Sequence, residues 1–360
     1  MKRDEAKKFF IENAKEEAIY LLIRTACSNH KTDFNIVKFS DAYSQPYRYW
    51  HIWKHIEDMI MDLIDSQEAI ESNFIDDRLI IAIPYHDLFC DPKAKDNEKK
   101  SANEFIKDWK GSEDDGKLIY SIIMDTETHI PSSELSKQFI ELDLNIFTKT
   151  SDKIIEYDKK IFKEYQFADW NKYREGRLDV LYKLSEIIYA NKDFNQKIFK
   201  GIVFARKYFK SFQPKIGVFT GSFNPFHIGH QNILEKAEKV FDKVIIARGI
   251  NADKKNGDFN MLPKHLEYYQ QEMYHGLVTD FLKELKYPIT LVRGLRNVKD
   301  FDYELNMSQY IKDINKGIDI PTTLFVCDRE FAHISSSAIK TLPKKEQEMY
   351  LTFNKEKIEK

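Results

Sequence analysis

Two groups of residues in this sequence carry side chains able to do chemistry. The first is Thr220-Gly221-Ser222-Phe223-Asn224-Pro225-Phe226-His227-Ile228-Gly229-His230, with two imidazoles three residues apart among small residues. A β-rich run, Ile216 to Thr220, leads into it and a helical pattern begins there. Gly221 and Gly229 would let backbone approach a ligand, and a helix N-terminus presents N–H groups and partial positive charge, which favours phosphate. Three more segments follow expected strands: Asp253-Lys254-Lys255, Arg293-Gly294-Leu295-Arg296, and Ile334-Ser335-Ser336-Ser337, the last opening a helix. Ligands of open α/β sheets bind beyond the carboxyl ends of strands, so the four segments should converge on one crevice. A nucleoside triphosphate is the expected occupant.

The second group is Trp50-His51-Ile52-Trp53-Lys54-His55, then Pro84-Tyr85-His86-Asp87, then Asp143 in an apolar helical neighbourhood. His51 and His55, four apart, are expected on one helical face. His86 and Asp87 are adjacent, so only a kinked or terminal turn aims both at one cation. Two imidazoles and two carboxylates suit a borderline or hard divalent metal of unspecified identity.

These groups need different scaffolds. From Asp4 to about Ala26 apolar residues recur at three- and four-residue spacing, which predicts an amphipathic helix. Further helices are expected at Tyr49 to Ile64, Glu68 to Phe74, Ser101 to Trp109, Leu118 to His129, Ser133 to Leu142, Ser151 to Tyr165, Arg174 to Tyr189 and Phe194 to Tyr208. After Pro214 short β-rich runs alternate with helical ones. Strands are expected at Ile216 to Thr220, Val244 to Ala247, Ile289 to Val292 and Thr322 to Val326, and helices at Gln231 to Val240, about Pro263 to Leu285 and about Phe301 to Ile314. That alternation predicts a parallel sheet with right-handed crossovers. The fold class is therefore a two-domain chain, an all-α bundle over 1–210 followed by an α/β Rossmann-like domain over 214–343, with a charged helical tail over 344–360.

Composition supports the division. All four tryptophans lie before residue 171, whereas eight of the twelve glycines lie after residue 215. With 360 residues, 42% hydrophobic, the chain can bury a sizeable core. Lys+Arg 56 against Asp+Glu 58 gives a net charge of -2, which removes the bulk-charge argument for nucleic-acid binding. Three scattered cysteines offer neither a disulfide framework nor a zinc knuckle. No apolar run is long enough to span a bilayer, and a cytoplasmic enzyme without a membrane partner is expected.

The C-terminal motifs resemble the bacterial phosphopantetheine adenylyltransferases of the HxGH nucleotidyltransferase superfamily over about Lys215 to Leu342, most specifically through Arg293-Gly-Leu-Arg-Asn-Val-Lys-Asp-Phe-Asp-Tyr-Glu304. The resemblance implies transfer of AMP from ATP, with Mg²⁺, to 4'-phosphopantetheine. It implies that Ser222 and Phe223 touch ATP, Ser222 also approaching the acceptor, and that His227 and Gly294 belong to the nucleotide site. His230 would stabilise charge near the α-phosphate, Lys254 and Arg293 would hold the acceptor phosphate, and Val278 would line the acceptor site. Arg296 and Glu304 would contact ATP, and Ser335, Ser336 and Ser337 would bind its phosphates. His227 stands where that family usually has Thr, Asn224 replaces a common Asp, and the segment between Lys255 and Arg293 is shorter than its norm. An acceptor such as nicotinate mononucleotide is the alternative.

The N-terminal order His…His-Asp…Asp resembles the HD superfamily of metal-dependent phosphohydrolases, over about residues 15 to 205. The nearest pattern is YH-x3-H, HD and DNE-x2-SA, here Trp50-His51…His55, His86-Asp87 and Asp96-Asn97-Glu98-Lys99-Lys100-Ser101-Ala102. The resemblance implies His55, His86, Asp87 and Asp143 as metal ligands, His51 as general acid, and Glu98 and His129 near the reacting phosphate. Phosphoester hydrolysis by cation-activated water would follow. The alternative is a metal-binding regulatory or oligomerising module without activity, and a homo-oligomer is expected.

Overall fold

The computed structural model describes residues 15–69, 75–250, 262–317 and 319–351. They form two compact units: one comprises residues up to Tyr165 with Asn171–Phe212, the other Gln166–Trp170 with Gln213 onward.

The first unit is helical: α1 Lys15–Asn29, α2 Ile36–Tyr43, α3 Trp53–Ala69, α4 Asp77–His86, α5 Asn97–Asp108, α6 Glu113–Asp125, α7 Glu134–Asp143, α8 Ser151–Glu164, α9 Trp170–Ala190 and α10 Gln196–Ser211, with a 3₁₀ turn at Leu144–Thr148. Its centre is α4, whose residues Leu79 to His86 are all buried. An apolar run buried all round has no amphipathic period, which is why periodicity does not announce this helix. Pro84 removes one N–H from its last turn, and the Tyr43 hydroxyl donates to the Pro84 carbonyl at 2.8 Å.

Three expectations for this unit need correction. The helix over Tyr49 to Ile64 begins only at Trp53, so His51 precedes it and shares no helical face with His55. Glu68 starts no helix of its own, because α3 runs on to Ala69, and residues 70–74 lie outside the described ones. The short helix α2, capped by Asn35, was not expected. Further along, α10 packs closely on the 3₁₀ turn that follows Asp143: a Cβ at Gly201 would collide with the Phe147 carbonyl.

The second unit is a five-stranded parallel sheet of order β3-β2-β1-β4-β5. Its elements are β1 Ile216–Gly221, α11 Ile228–Glu238, β2 Lys243–Ile250, β3 Gln271–His275, α12 Val278–Glu284, β4 Thr290–Leu295, α13 Val298–Ile314, β5 Thr322–Val326, α14 Ser336–Thr341 and α15 Lys344–Leu351, with 3₁₀ turns at Lys264–Tyr268 and Arg329–Phe331. Central β1 and β2 are buried almost throughout, as parallel strands covered on both faces must be. Pro263 to Leu285 is not one helix; it holds a 3₁₀ turn, β3 and the short helix α12. Strand β3 is an edge strand, Gln-Glu-Met-Tyr-His, half in solvent, and its composition gives no strand signal. Arg293 and Gly294 consequently sit on the fourth strand rather than after the third, and the serine run follows the fifth. At the start of β2, buried Lys243 donates to the carbonyls of Gln166 and Ala168, the latter at 2.8 Å, and burial pulls its pKa down to about 7.

Candidate functional site

Strand order in the sheet reverses between β1 and β4, where an open α/β sheet leaves a crevice. A cavity of about 330 Å³ lies there. Its lining brings together Phe223, His227, His230, Arg293, Gly294, Arg296, Glu304, Ser335 and Ser336, contributed by turns and strand ends far apart in sequence. Ser222, Ser337 and Val278 do not line it, and Lys254 lies outside the described residues.

The histidines are arranged differently from the simple expectation. His227 is the N-cap of α11, and its Nδ1 accepts from the His230 amide while His230 Nδ1 accepts from the His227 amide, each at 3.3 Å. The rings stack with centroids 3.6 Å apart. One helix-terminal N–H is therefore taken by an imidazole rather than left for a ligand. With both Nδ1 atoms accepting, each ring carries its proton on Nε2 and offers one donor. Burial, with Arg296 nearby, brings the His227 pKa down to about 4; burial, His227 and Arg296 push His230 well below its usual value. Both are neutral donors at neutral pH.

Gly221 lines the crevice and is also needed for close packing. A Cβ there would lie 2.7 Å from the Phe223 ring, and Phe223, at φ +45°, supports His230 edge-on with centroids 5.1 Å apart. The arginines are held too. Arg293 makes a two-pronged pair with Glu304 at 2.7 and 2.8 Å and donates to the Thr220 hydroxyl at 2.8 Å. Arg296 makes a similar pair with Asp300 at 2.9 and 3.0 Å. Ser335 caps α14 through the Ala338 amide, and the Ser336 hydroxyl donates to the Pro225 carbonyl at 2.9 Å.

The profile of the cytidylyltransferase-like family matches residues 218–342, the span that builds this crevice. A phosphopantetheine adenylyltransferase of Cytophaga hutchinsonii is 39% identical over 139 residues, covering 36% of this chain and 90% of its own. One of Clostridium botulinum is 37% identical over 139 residues, covering 36% and 85%, and one of Rhodopirellula baltica 36% identical over 136 residues, covering 35% and 74%. By its C-terminal region, the chain belongs to the phosphopantetheine adenylyltransferase family. In this member of that family the matched region is about a third of the chain, and a helical unit with a cluster of its own precedes it.

That cluster is assembled at helix ends. His55 is on the first turn of α3, His86 ends α4, Asp87 is its C-cap, and Asp143 ends α7. His86 Nε2 lies 2.9 Å from Asp87 Oδ2 and 3.7 Å from Asp143 Oδ1, and His55 Nε2 lies 3.3 Å from Asp143 Oδ1 and 4.0 Å from Asp87 Oδ2. His86 Nδ1 faces the Ile83 carbonyl at 2.7 Å, the kind of outer contact that fixes which nitrogen a ligating imidazole presents. His55 Nε2 and His86 Nε2 are buried, and what they face are the Asp143 and Asp87 carboxylates. Two buried imidazole nitrogens converging on two carboxylates are a donor set that fits a divalent cation. Burial works to lower the His86 pKa, but Asp87 and Asp143 carry it to about 9.

His129, at φ +57° after α6, turns Nε2 toward Asp143 Oδ2 at 3.6 Å. Asp125 braces its loop, accepting from Ser132 and Ser136 at 2.5 to 2.8 Å. Beside His55 and Asp143 opens a cavity of about 640 Å³, lined by Trp50, Met59, Leu142 and Ile146 and rimmed by Lys54, Lys149, Lys153 and Lys160 with their ion-pair partners Asp58, Asp62 and Glu156.

Sequence reasoning missed two residues that hold this region. Glu164, 3% exposed at the end of α8, accepts the amides of Tyr49, Trp50 and His51 on Oε1 at 2.8 to 3.0 Å and meets His51 Nδ1 with Oε2 at 2.6 Å. Buried Arg48 donates to the carbonyls of His51, Asp87 and Leu88 at 2.8 to 3.1 Å. Neither has a motif; only the fold brings Glu164 across 113 residues to His51. The Asp96-Asn97-Glu98…Ser101 stretch acts largely through its neighbours, Asn97 pairing with the Asp91 backbone and Ser101 accepting from the Phe89 amide at 3.0 Å.

Proposed function

We propose that the sheet unit transfers AMP from ATP to 4'-phosphopantetheine, forming dephospho-CoA and pyrophosphate, and that the helical unit hydrolyses a phosphoester with a bound divalent cation. The observation carrying the first half is a crevice at the strand-order reversal, lined by His227, His230, Arg293 and Arg296, within a region whose relatives bear the phosphopantetheine adenylyltransferase name.

The attacking group is a phosphate oxygen, already ionised, so no general base is required. The protein must align two anions that repel each other and neutralise charge at the α-phosphorus. Neutral His230, with His227 behind it, donates Nε2–H to ATP phosphate oxygens. Ser335, Ser336 and Ser337 at the start of α14 bind the remaining phosphates, and Ser222, Phe223 and Gly294 border the nucleotide. Arg293, with Lys254, takes the acceptor phosphate, sharing its guanidinium with Glu304; Arg296 and Glu304 face ATP, and Val278 faces the acceptor. Asp300 and Glu304 are both engaged by arginines, so Mg²⁺ would be held chiefly by ATP's own phosphates, where it supplies positive charge to the leaving pyrophosphate. Release of pyrophosphate from ATP, Mg²⁺ and 4'-phosphopantetheine tests the assignment; no turnover with that acceptor, together with turnover on nicotinate mononucleotide, overturns it.

The convergence of the buried His55 and His86 Nε2 atoms on the Asp87 and Asp143 carboxylates supports the second half. These histidines with Asp87 and Asp143 would hold the cation, which when bound supplies charge beside phosphoryl oxygens and acidifies water. His129 and Glu98 border the reacting phosphate, and the lysine-rimmed cavity takes the rest of an anionic substrate. Equal phosphatase activity in the protein and its His86→Ala and Asp87→Ala variants overturns this half. Self-association completes the reading: α13 has no buried residue and exposes Val298, Phe301, Tyr303, Leu305, Tyr310 and Ile314. A monomer by light scattering removes it.

A further inference from the structure

His51, Asp87 and Cys90 form a second set of ligand atoms, one imidazole nitrogen, one carboxylate oxygen and one sulfur, all within 4.8 Å of one another. Asp87 is common to this set and to the set with His55 and His86. We propose that His51, Asp87 and Cys90 are the protein ligands of a second cation position, bridged by Asp87 to the first, and that its thiolate selects a thiophilic divalent ion such as Zn²⁺ over Mg²⁺.

Each ligand is held from outside the set, as a built metal site requires. Glu164 occupies His51 Nδ1 at 2.6 Å, which leaves Nε2 as the nitrogen facing Asp87, 3.9 Å from its Oδ2. That is the carboxylate–histidine arrangement which orients ligating imidazoles. The His51–Asp87 separation is too long for a hydrogen bond yet short enough for one ion to bridge after a small closing movement. Arg48 ties the His51 carbonyl to the Asp87 and Leu88 carbonyls, so the loop carrying the imidazole and the turn carrying the carboxylate move together. Cys90 stands between Phe89, fixed by Ser101, and Asp91, fixed by Asn97. As a residue Cys90 is partly exposed, unlike buried Cys27 and Cys327.

The donor set decides the class of ion. Sulfur and imidazole suit Zn²⁺, Fe²⁺ or Co²⁺, whereas Mg²⁺ demands oxygen. Three protein ligands leave one tetrahedral position open to solvent or substrate, the pattern of catalytic rather than structural zinc. Binding releases the Cys90 proton to solvent, and no redox change is involved. His51 then acts as a ligand, not as the proton donor that its resemblance implies. The inference rests on the first cation position only through the shared Asp87.

The test uses the full chain loaded with Co²⁺ and desalted, with cobalt counted per chain and the near-ultraviolet thiolate-to-cobalt charge-transfer band recorded. Two cobalts and the band are expected. Cys90→Ser should lose the band and one cobalt while keeping the other, which also shows that the variant folds; Cys27→Ser and Cys327→Ser should keep both signals. Glu164→Gln should weaken binding of the second cobalt roughly 10- to 100-fold. One cobalt without the band overturns this inference and leaves the first position standing. No cobalt at all overturns both, and two cobalts retained in Cys90→Ser overturns the assignment of the thiolate.

Discussion

In the sheet unit the four charged side chains that line the crevice among the described residues, Arg293, Arg296, Asp300 and Glu304, are already paired with one another. In the helical unit the buried nitrogens of His55 and His86 and the Asp87 and Asp143 carboxylates converge on one another at 2.9 to 4.0 Å. A crevice for substrates that arrive and leave must be stable without them, so its cations rest on carboxylates and its histidines on each other's backbone. A cluster of buried imidazoles and carboxylates that converge on one point has the donor set of a cation site. Under the proposed function the contrast is between a crevice for exchangeable anions and a cluster for a bound cation.

The contrast can be broken in four places. The largest effect is expected for Asp87→Ala: phosphoester hydrolysis should fall about 10³-fold or more, matching the several kcal/mol of charge stabilisation a cation supplies. The same variant should abolish the fall in thermal midpoint that a chelator causes in the unaltered protein, since only a ligand bound to the folded state shifts it; a persistent chelator effect would place the ion elsewhere. Next, His230→Ala should cut pyrophosphate release about 10²- to 10³-fold, the usual loss for one preorganised donor. An unaltered rate would leave the stacked pair as a helix cap alone.

The third effect is on stability. The folded-state pKa of His227 is about 4 against an unfolded value of roughly 6.5, so between these the unfolded state binds more protons and stability rises with pH. The contribution is complete above about pH 6.5 and lost as pH falls toward 4, amounting to about 3 kcal/mol at most. Hydrogen exchange of the β1 and β2 amides, measured from pH 4.5 to 7, should show this slope. His227→Asn keeps an N-cap acceptor and should remove the His227 share of the slope, leaving the part due to His230, whose pKa is also pushed down; an unchanged slope would assign it to other groups. The smallest effect is expected for Glu304→Gln, which frees the Arg293 fork: about a tenfold rise in acceptor KM with kcat little changed, whereas a loss in kcat alone would show that Arg293 acts on the transition state.

How much could be read in advance differs between the units for physical reasons. The crevice was legible because its residues stand at strand ends and helix starts, where turn chemistry concentrates in short segments such as Gly221 to His230 and Ile334 to Ser337. Mutual capping by His227 and His230 was not foreseen, although their spacing is that of a capping box and could have been read as one. In the helical unit His55, His86, Asp87 and Asp143 could be named, and the fold brings them together, but the carboxylate beside His51 could not. Glu164 is an ordinary acidic residue on an amphipathic helix, and its role exists only once α8 ends beside residues 49–51. Strand β3 escaped notice because an exposed edge needs no apolar side chains, and α4 because a helix buried on every side has no period.

Gly201 lies far in sequence from every ligand, yet it fixes how closely α10 approaches the carbonyl of Phe147, four residues beyond Asp143. A single methyl group there would act as a wedge, lifting the turn and dragging the Asp143 carboxylate away from its imidazole neighbours. A variant screen that scored only metal affinity would place this residue among the ligands, although it has no side chain to coordinate with. In this unit the geometry of the imidazole–carboxylate cluster is set partly by an atom that is missing.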